Sequence, residues 1–182
     1  AAALARHAEV LVIANEENPR AEIGDPFVRG GCDGIHTHFM HKSRNPLRVL
    51  QQAWALARAV RNFGPDVLHV QEDSKDALAL ALPFLGRVPL LLTVHDPKPH
   101  TGADTHVRKR TRHGAYIARL RHRADALLVH GQRLVADARE AVGGRVRPVF
   151  VLPHGPLGER AARQVAAPQE PGRCLFFGRI EA

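Results

Sequence analysis

PLLLTVHDPKPH, residues 89–100, runs from Leu90 to Val94 without a charge and then breaks at His95-Asp96-Pro97. A strand with one wet face alternates apolar and polar residues, whereas a strand covered on both faces reads as a near-continuous apolar run. Residues 10–13, 66–70, 126–129 and 149–152 repeat the pattern and are expected to be strands as well. Between them lie helical patterns. Asn45 can cap a helix with Pro46 at its first position, Leu50, Ala53, Trp54, Ala57 and Val60 form its apolar stripe, and Gly64-Pro65 ends it. Ser74 or Asp73 can cap a second helix over residues 77–85, and a third over 134–142 stops at Gly143-Gly144. Strands alternating with helices imply βαβ units, hence an α/β fold: a doubly wound, Rossmann-like parallel sheet.

A sheet of that kind ordinarily opens with a strand and a glycine-rich turn. This sequence opens on what reads as the helix that would follow, so the first strand is expected to precede Ala1. Between Asn15 and Ser43 the periodicity is lost amid glycines and prolines, and the stretch reads as a long loop.

Composition narrows the class. Of 182 residues, 45% are hydrophobic and 24% charged, the range of an ordinary globular domain. The longest apolar stretch, residues 77–86, is too short to span a bilayer, which takes about 20 apolar residues. Cys32 and Cys174 alone make neither a disulfide framework nor a paired-cysteine zinc site. With no signal-peptide pattern at the N-terminus, these features lead us to expect a cytoplasmic protein. The net charge of +8 is unevenly spread: seven of the 26 Lys and Arg residues fall in residues 108–123, RKRTRHGAYIARLRHR, which holds no acid. That segment is either a solvated helix face or a surface for an anionic membrane or polyanion, and it leaves room for peripheral contact at the inner membrane face.

In an open α/β sheet, ligands bind beyond the carboxyl ends of the strands. Those positions here carry Gln71-Glu72-Asp73, His95-Asp96, His130-Gly131, His154-Gly155 and Gly178-Arg179. Turn chemistry accounts for Asp and Gly but not for repeated histidine. Pro97 and Pro99 hold the loop after residues 89–94 extended while His95, Asp96, Lys98 and His100 project from it. Imidazole can donate to a sugar hydroxyl or a phosphate oxygen, and Asp96 can orient a ring or accept from a hydroxyl.

LLLTVHD, DALLVHG, VFVLPHG and LFFGRIE, in that order, resemble the strand ends of retaining GT-B glycosyltransferases of family four. The resemblance spans residues 66–182. It implies an N-terminal, acceptor-side Rossmann-like domain over residues 1–170 and the start of a nucleotide-sugar-binding domain at 171–182. The implied reaction moves a sugar from a nucleoside diphosphate donor to an acceptor hydroxyl, with retention, without a metal or other cofactor. His95 and Asp96 would be catalytic, His154, Gly155, Gly178 and Arg179 would bind the donor, and Glu72, Lys98, His100 and His130 would border a sugar or lipid-linked acceptor. The family's glycine-rich turn would lie before Ala1 and its Lys-Gly and paired glutamates after Ala182. Activity is therefore expected of a full-length parent and not of this chain alone.

Three alternatives compete. His36, His38 and His41 form an HxHxxH cluster that can ligate zinc, but no carboxylate or cysteine completes a recognised spacing; a loop bordering the acceptor cleft or plain surface exposure are the other readings, and no metal site is expected. No G-x-G-x-x-G or G-x-S-x-G follows a strand, which sets aside nicotinamide enzymes and serine hydrolases. The third is a non-catalytic module using the 108–123 helix for anionic membrane or nucleic acid, although one Tyr and one Trp leave little for a base-stacking platform, and no nucleic-acid partner is expected.

Overall fold

A computed structural model of the chain describes residues 2–15, 35–41, 43, 45–72, 76–98, 112–143 and 146–153. After a short helix α1 (Ala2–Ala5), strand β1 (Val10–Asn15) pairs in parallel with β2 (Ile35–Met40), Val10 opposite Ile35 and Asn15 opposite Met40. Helix α2 (Pro46–Phe63) leads to a four-stranded parallel sheet, β3 (Leu68–Gln71), β4 (Leu90–Thr93), β5 (Ala126–Val129) and β6 (Val149–Val151), hydrogen-bonded in that order. Among the described residues the strands thus form two separately bonded parallel sheets where the sequence pointed to one. The architecture is α/β and Rossmann-like, with helices flanking parallel strands.

A single core joins the parts. Leu92, Val94, Leu127 and Val129 are fully buried, as are Leu120 on α4 (Arg112–Arg123) and Ala138 on α5 (Val135–Ala141). Ile13 of β1 and Met40 of β2 pack against the same cluster, which ties the two-stranded sheet to the four-stranded one. All five expected strands form, with ends moved by one or two residues. The sixth, β2, lies inside the stretch read as a loop. Its residues IHTHFM bury Ile35 but leave His36 and Thr37 exposed, so the covered-strand signature is missing there.

Local signals explain most helix ends. Asn45 Oδ1 accepts from the Leu47 N–H at 2.9 Å, Pro46 takes the first position, and Gly64 closes α2 in the left-handed region at φ 64°, its N–H donating to Val60 O at 3.0 Å. The buried stripe of α2 is Ala53, Leu56, Ala57 and Val60, at the i, i+3, i+4, i+7 spacing of one face. Leu50 and Trp54, expected on that stripe, are exposed, and Trp54 lies under the Arg58 guanidinium at 5.7 Å. The helix expected over 77–85 is α3 (Asp76–Ala81) followed by a 3₁₀ turn, Leu82–Phe84. Pro83 lacks the N–H that another α turn requires and crowds the carbonyl four residues back. The caps expected at Asp73 or Ser74 lie outside the described residues. A second 3₁₀ turn, Gln132–Leu134, precedes α5. No helix among the described residues is long and apolar enough to cross a membrane.

Candidate functional site

Parallel pairing carries the strand ends of the four-stranded sheet to one edge, and the ladder continues one residue past each strand. The Glu72 N–H donates to Thr93 O at 3.1 Å, Val94 N–H to Leu128 O at 2.9 Å and Leu152 N–H to Val129 O at 2.9 Å. Adjacent strands stand about 4.8 Å apart, so residues following β3, β4 and β5 become neighbours despite separations of more than 20 residues in sequence.

At that edge the His95 and His130 rings lie with centroids 5.1 Å apart, tilted by 34°. His130 Nδ1–H donates to Leu152 O at 2.9 Å, linking the end of β5 to the end of β6. His95 Nε2 lies 2.9 Å from Gln71 Oε1. Behind Gln71, His69 Nε2 is 2.7 Å from Thr93 Oγ1 and 3.5 Å from Gln71 Nε2. Desolvation at this strand end lowers the His69 pKa below its ordinary 6.5, so its ring is neutral at physiological pH.

The loop leaving β4 is held from below. Arg121 of α4 donates through Nε to Glu72 Oε1, through one terminal nitrogen to Pro97 O at 3.2 Å and through the other to Asp96 O at 3.1 Å. Glu72 is buried, with a side chain only 8% exposed, and that of Arg121 is 15% exposed. A buried carboxylate needs a paired charge, and the fork geometry of guanidinium lets one side chain satisfy it and grip two carbonyls as well. The paired Glu72 carboxylate supports the loop that carries His95. Lys98, further along, bridges to α5 through Asp137 at 2.7 Å and Glu140 at 3.3 Å; hydrogen bonding to Asp137, then Glu140, raises its pKa.

The structure therefore brings His95, Asp96, Glu72, Lys98 and His130 to one edge of the sheet. His100, His154, Gly155, Gly178 and Arg179 lie outside the described residues. Sequence reasoning placed Gln71 at a strand end without giving it a role, and missed His69 and Arg121. The signal for Arg121 was an acid at a strand end beside an acid-free helix; Gln71 had only its strand-end position, and His69, inside the strand, had none. Of the HxHxxH residues, His36 and His38 sit on β2, and His36 Nε2 is 3.1 Å from Glu9 Oε1. No cluster of three or more His, Cys, Asp or Glu among the described residues can hold a metal ion.

The basic helix faces inward more than its composition implied. Arg121 is committed to the loop, and Arg123 donates to Asp125 Oδ2 at 2.7 Å and to Val88 O at 2.8 Å. Asp125 in turn accepts from the Leu90 N–H at 2.8 Å. Burial opposes ionisation of Asp125, but the Leu90 N–H and the Arg123 guanidinium outweigh it and lower its pKa. These contacts clamp the amino ends of β4 and β5. An open groove of about 750 Å³ lies there, lined by Pro83, Arg119, His122, Arg123 and Arg147 among others. That end of the sheet is opposite the edge where the histidines gather, and ligands of open α/β sheets bind at the carboxyl edge.

Comparisons with known proteins complete the picture. A search of the curated proteins found none that matches the chain. Among solved structures, that of Glycyrrhiza uralensis UGT73P12 complexed with glycyrrhetinic acid 3-O-monoglucuronide is similar at 11% identity with a TM-score of 0.43. The likeness covers 83% of this chain and 44% of that one, so the chain spans under half the length of the structure it matches. The family model Glycosyltransferase Family 4 matches residues 1–155, most of the sequence, and the chain belongs to that family.

Proposed function

We propose that this chain is the acceptor-side half of a GT-B transferase that moves a sugar from a nucleoside diphosphate donor to an acceptor hydroxyl, with retention and without a metal. Family membership supports glycosyl transfer in general. The observation that supports this edge as the site is the pairing of His95, on a loop anchored by Arg121, with His130 at the end of β5.

In this reading His95 meets the donor sugar as its bond to phosphate breaks, and Asp96 orients groups beside it. A rigid loop matters because a group that stabilises developing charge works only when held in place beforehand. Pro97, buried and gripped through its carbonyl by Arg121, supplies that rigidity. Arg179, in the 171–182 segment that opens the donor-binding domain, would meet the diphosphate with Gly178, His154 and Gly155 beside it; guanidinium suits a phosphate leaving group. Lys98, His100 and His130 border a sugar or lipid-linked acceptor, and Glu72 contributes through Arg121. The donor is a substrate, and no resident cofactor takes part. Two cysteines without a disulfide framework support a cytoplasmic setting, and the exposed Arg119 beside the basic groove supports peripheral contact with an anionic membrane.

The test is nucleoside diphosphate release by the gene's full-length product over a panel of nucleotide sugars, with and without chelator. Release from one donor, unaffected by chelator, is expected. Release from none, or release abolished by chelation, would remove respectively the donor class or the metal-free mechanism.

A further inference from the structure

Gln71 lies between two imidazoles. Its Oε1 is 2.9 Å from His95 Nε2, its Nε2 is 3.5 Å from His69 Nε2, and that same His69 nitrogen is 2.7 Å from Thr93 Oγ1. An amide oxygen only accepts and an amide nitrogen only donates, so these contacts impose a polarity. His95 Nε2 carries a hydrogen and donates it to Gln71. The Gln71 NH₂ group then faces His69 Nε2, and both contacts of that nitrogen are satisfied together when it is unprotonated and accepts from the Gln71 amide and from the Thr93 hydroxyl. His69 is thereby fixed with its hydrogen on Nδ1, and desolvation, which lowers its pKa, keeps the ring neutral and able to accept. Thr93 is buried in β4, so the chain of bonds is anchored in the sheet at one end and reaches the loop at the other.

We propose that Gln71, oriented by His69 and Thr93, is a positioning residue for glycosyl transfer that fixes the plane and tautomer of His95. With Nε2 protonated, Nδ1 is the acceptor nitrogen of that ring. His95 is then matched to the hydroxyl of a sugar, which can donate, and mismatched to an ionised phosphate oxygen, which cannot. The inference rests on the placement of His95 in the site. It adds which chemistry of the donor the ring selects, and what holds it ready to do so.

Gln71 is exposed at the last position of β3, so its replacement leaves the core intact. Protein carrying ¹⁵N-labelled histidine reports the protonated nitrogen of each ring through long-range proton–nitrogen spectra above neutral pH. We expect His95 with the hydrogen on Nε2, the form a free histidine side chain prefers, held there as a single tautomer, and His69 with it on Nδ1, against that preference. Gln71→Leu should leave His95 as an exchanging mixture, and Gln71→Glu, whose carboxylate also accepts, should keep the Nε2 form. In the full-length product Gln71→Leu should lower kcat by on the order of 100-fold with little change in KM, and Gln71→Glu should recover part of the loss. His95 found with its hydrogen on Nδ1, or unaltered by Gln71→Leu, overturns the positioning whatever the activity. Tautomers as expected, with His95→Ala inactive but Gln71→Leu fully active, overturn the proposal alone. Tautomers as expected, with both variants fully active, overturn the site reading on which it rests.

Discussion

Replacing Arg121 with methionine keeps much of the stem and removes the charge and all five donors. Three interactions are lost together: the ion pair to Glu72 and the bonds to the carbonyls of Asp96 and Pro97. The chief cost is the Glu72 carboxylate left buried without a counter-charge, and breaking one partner of a buried pair costs about 3–5 kcal/mol. Because the Arg121 side chain is 15% exposed, some water reaches the pair, which places the effect near the lower figure. About 3 kcal/mol is a large part of the roughly 5–15 kcal/mol that keeps a domain folded. For a chain of this length it should lower Tm by roughly 6–12 °C. Urea unfolding and thermal melts of Arg121→Met, Glu72→Leu and the double variant measure it. The double variant should be more stable than either single one, because removing both charges leaves neither buried alone. Arg121→Met within about 0.5 kcal/mol of the parent, or additive effects in the double variant, would refute the idea that this pair holds the loop.

Three further outcomes follow from particular contacts. Asp125 has a lowered pKa, so its contribution to stability is present above the ordinary carboxylate value of 3.8 and fades as pH falls through the lower folded value; Asp125→Asn should flatten the acid limb of a stability–pH curve, and an unchanged limb would count against the clamp at Leu90 and Arg123. His69 also has a lowered pKa, but as a base. The unfolded chain binds its proton first, so stability should be complete above 6.5 and decline as pH falls from there through the folded value, a component that His69→Gln should abolish. Gly64→Ala should cost about 1–2 kcal/mol by urea unfolding, all of it backbone strain at φ 64°, since an added Cβ there meets nothing within 4 Å; a cost near zero would mean that the cap relaxes out of the left-handed region.

What the sequence made legible follows from how each element earns its stability. Strands covered on both faces leave uninterrupted apolar runs such as LLLTV and ALLV, so β4 and β5 could be read almost to the residue, whereas β3 and β6 form as expected but keep exposed positions that their apolar residues did not announce. Strand β2 could not be read. IHTHFM neither alternates nor forms an apolar run, carries two histidines and follows a glycine-rich stretch, so its pairing with β1 is a tertiary fact with no local signature. Pro46 and Gly64 announced the ends of α2 because each imposes a backbone geometry, whereas the face that α2 buries depended on what it meets, and Trp54 turned outward. Of the candidate site, His95 and His130 stood out because turn chemistry does not ask for histidine at a strand end, and Asp96 was noticed only beside His95. The contacts of Gln71 and His69 were not legible, since they arise only when parallel pairing sets β3 beside β4. Arg121 was hidden among the cations of its helix, which composition alone assigns to solvent or a polyanion. In the fold it is the support of the His95 loop.

The most direct measurement is kcat of the full-length product carrying His95→Ala, beside Arg119→Ala at the opposite end of the sheet, with each variant's Tm recorded. If the strand-end histidines form the transfer site, His95→Ala should lose on the order of 100-fold or more in turnover at unchanged Tm, and Arg119→Ala should keep the parent rate. Parental turnover in His95→Ala would contradict the assignment of this edge as the site of glycosyl transfer.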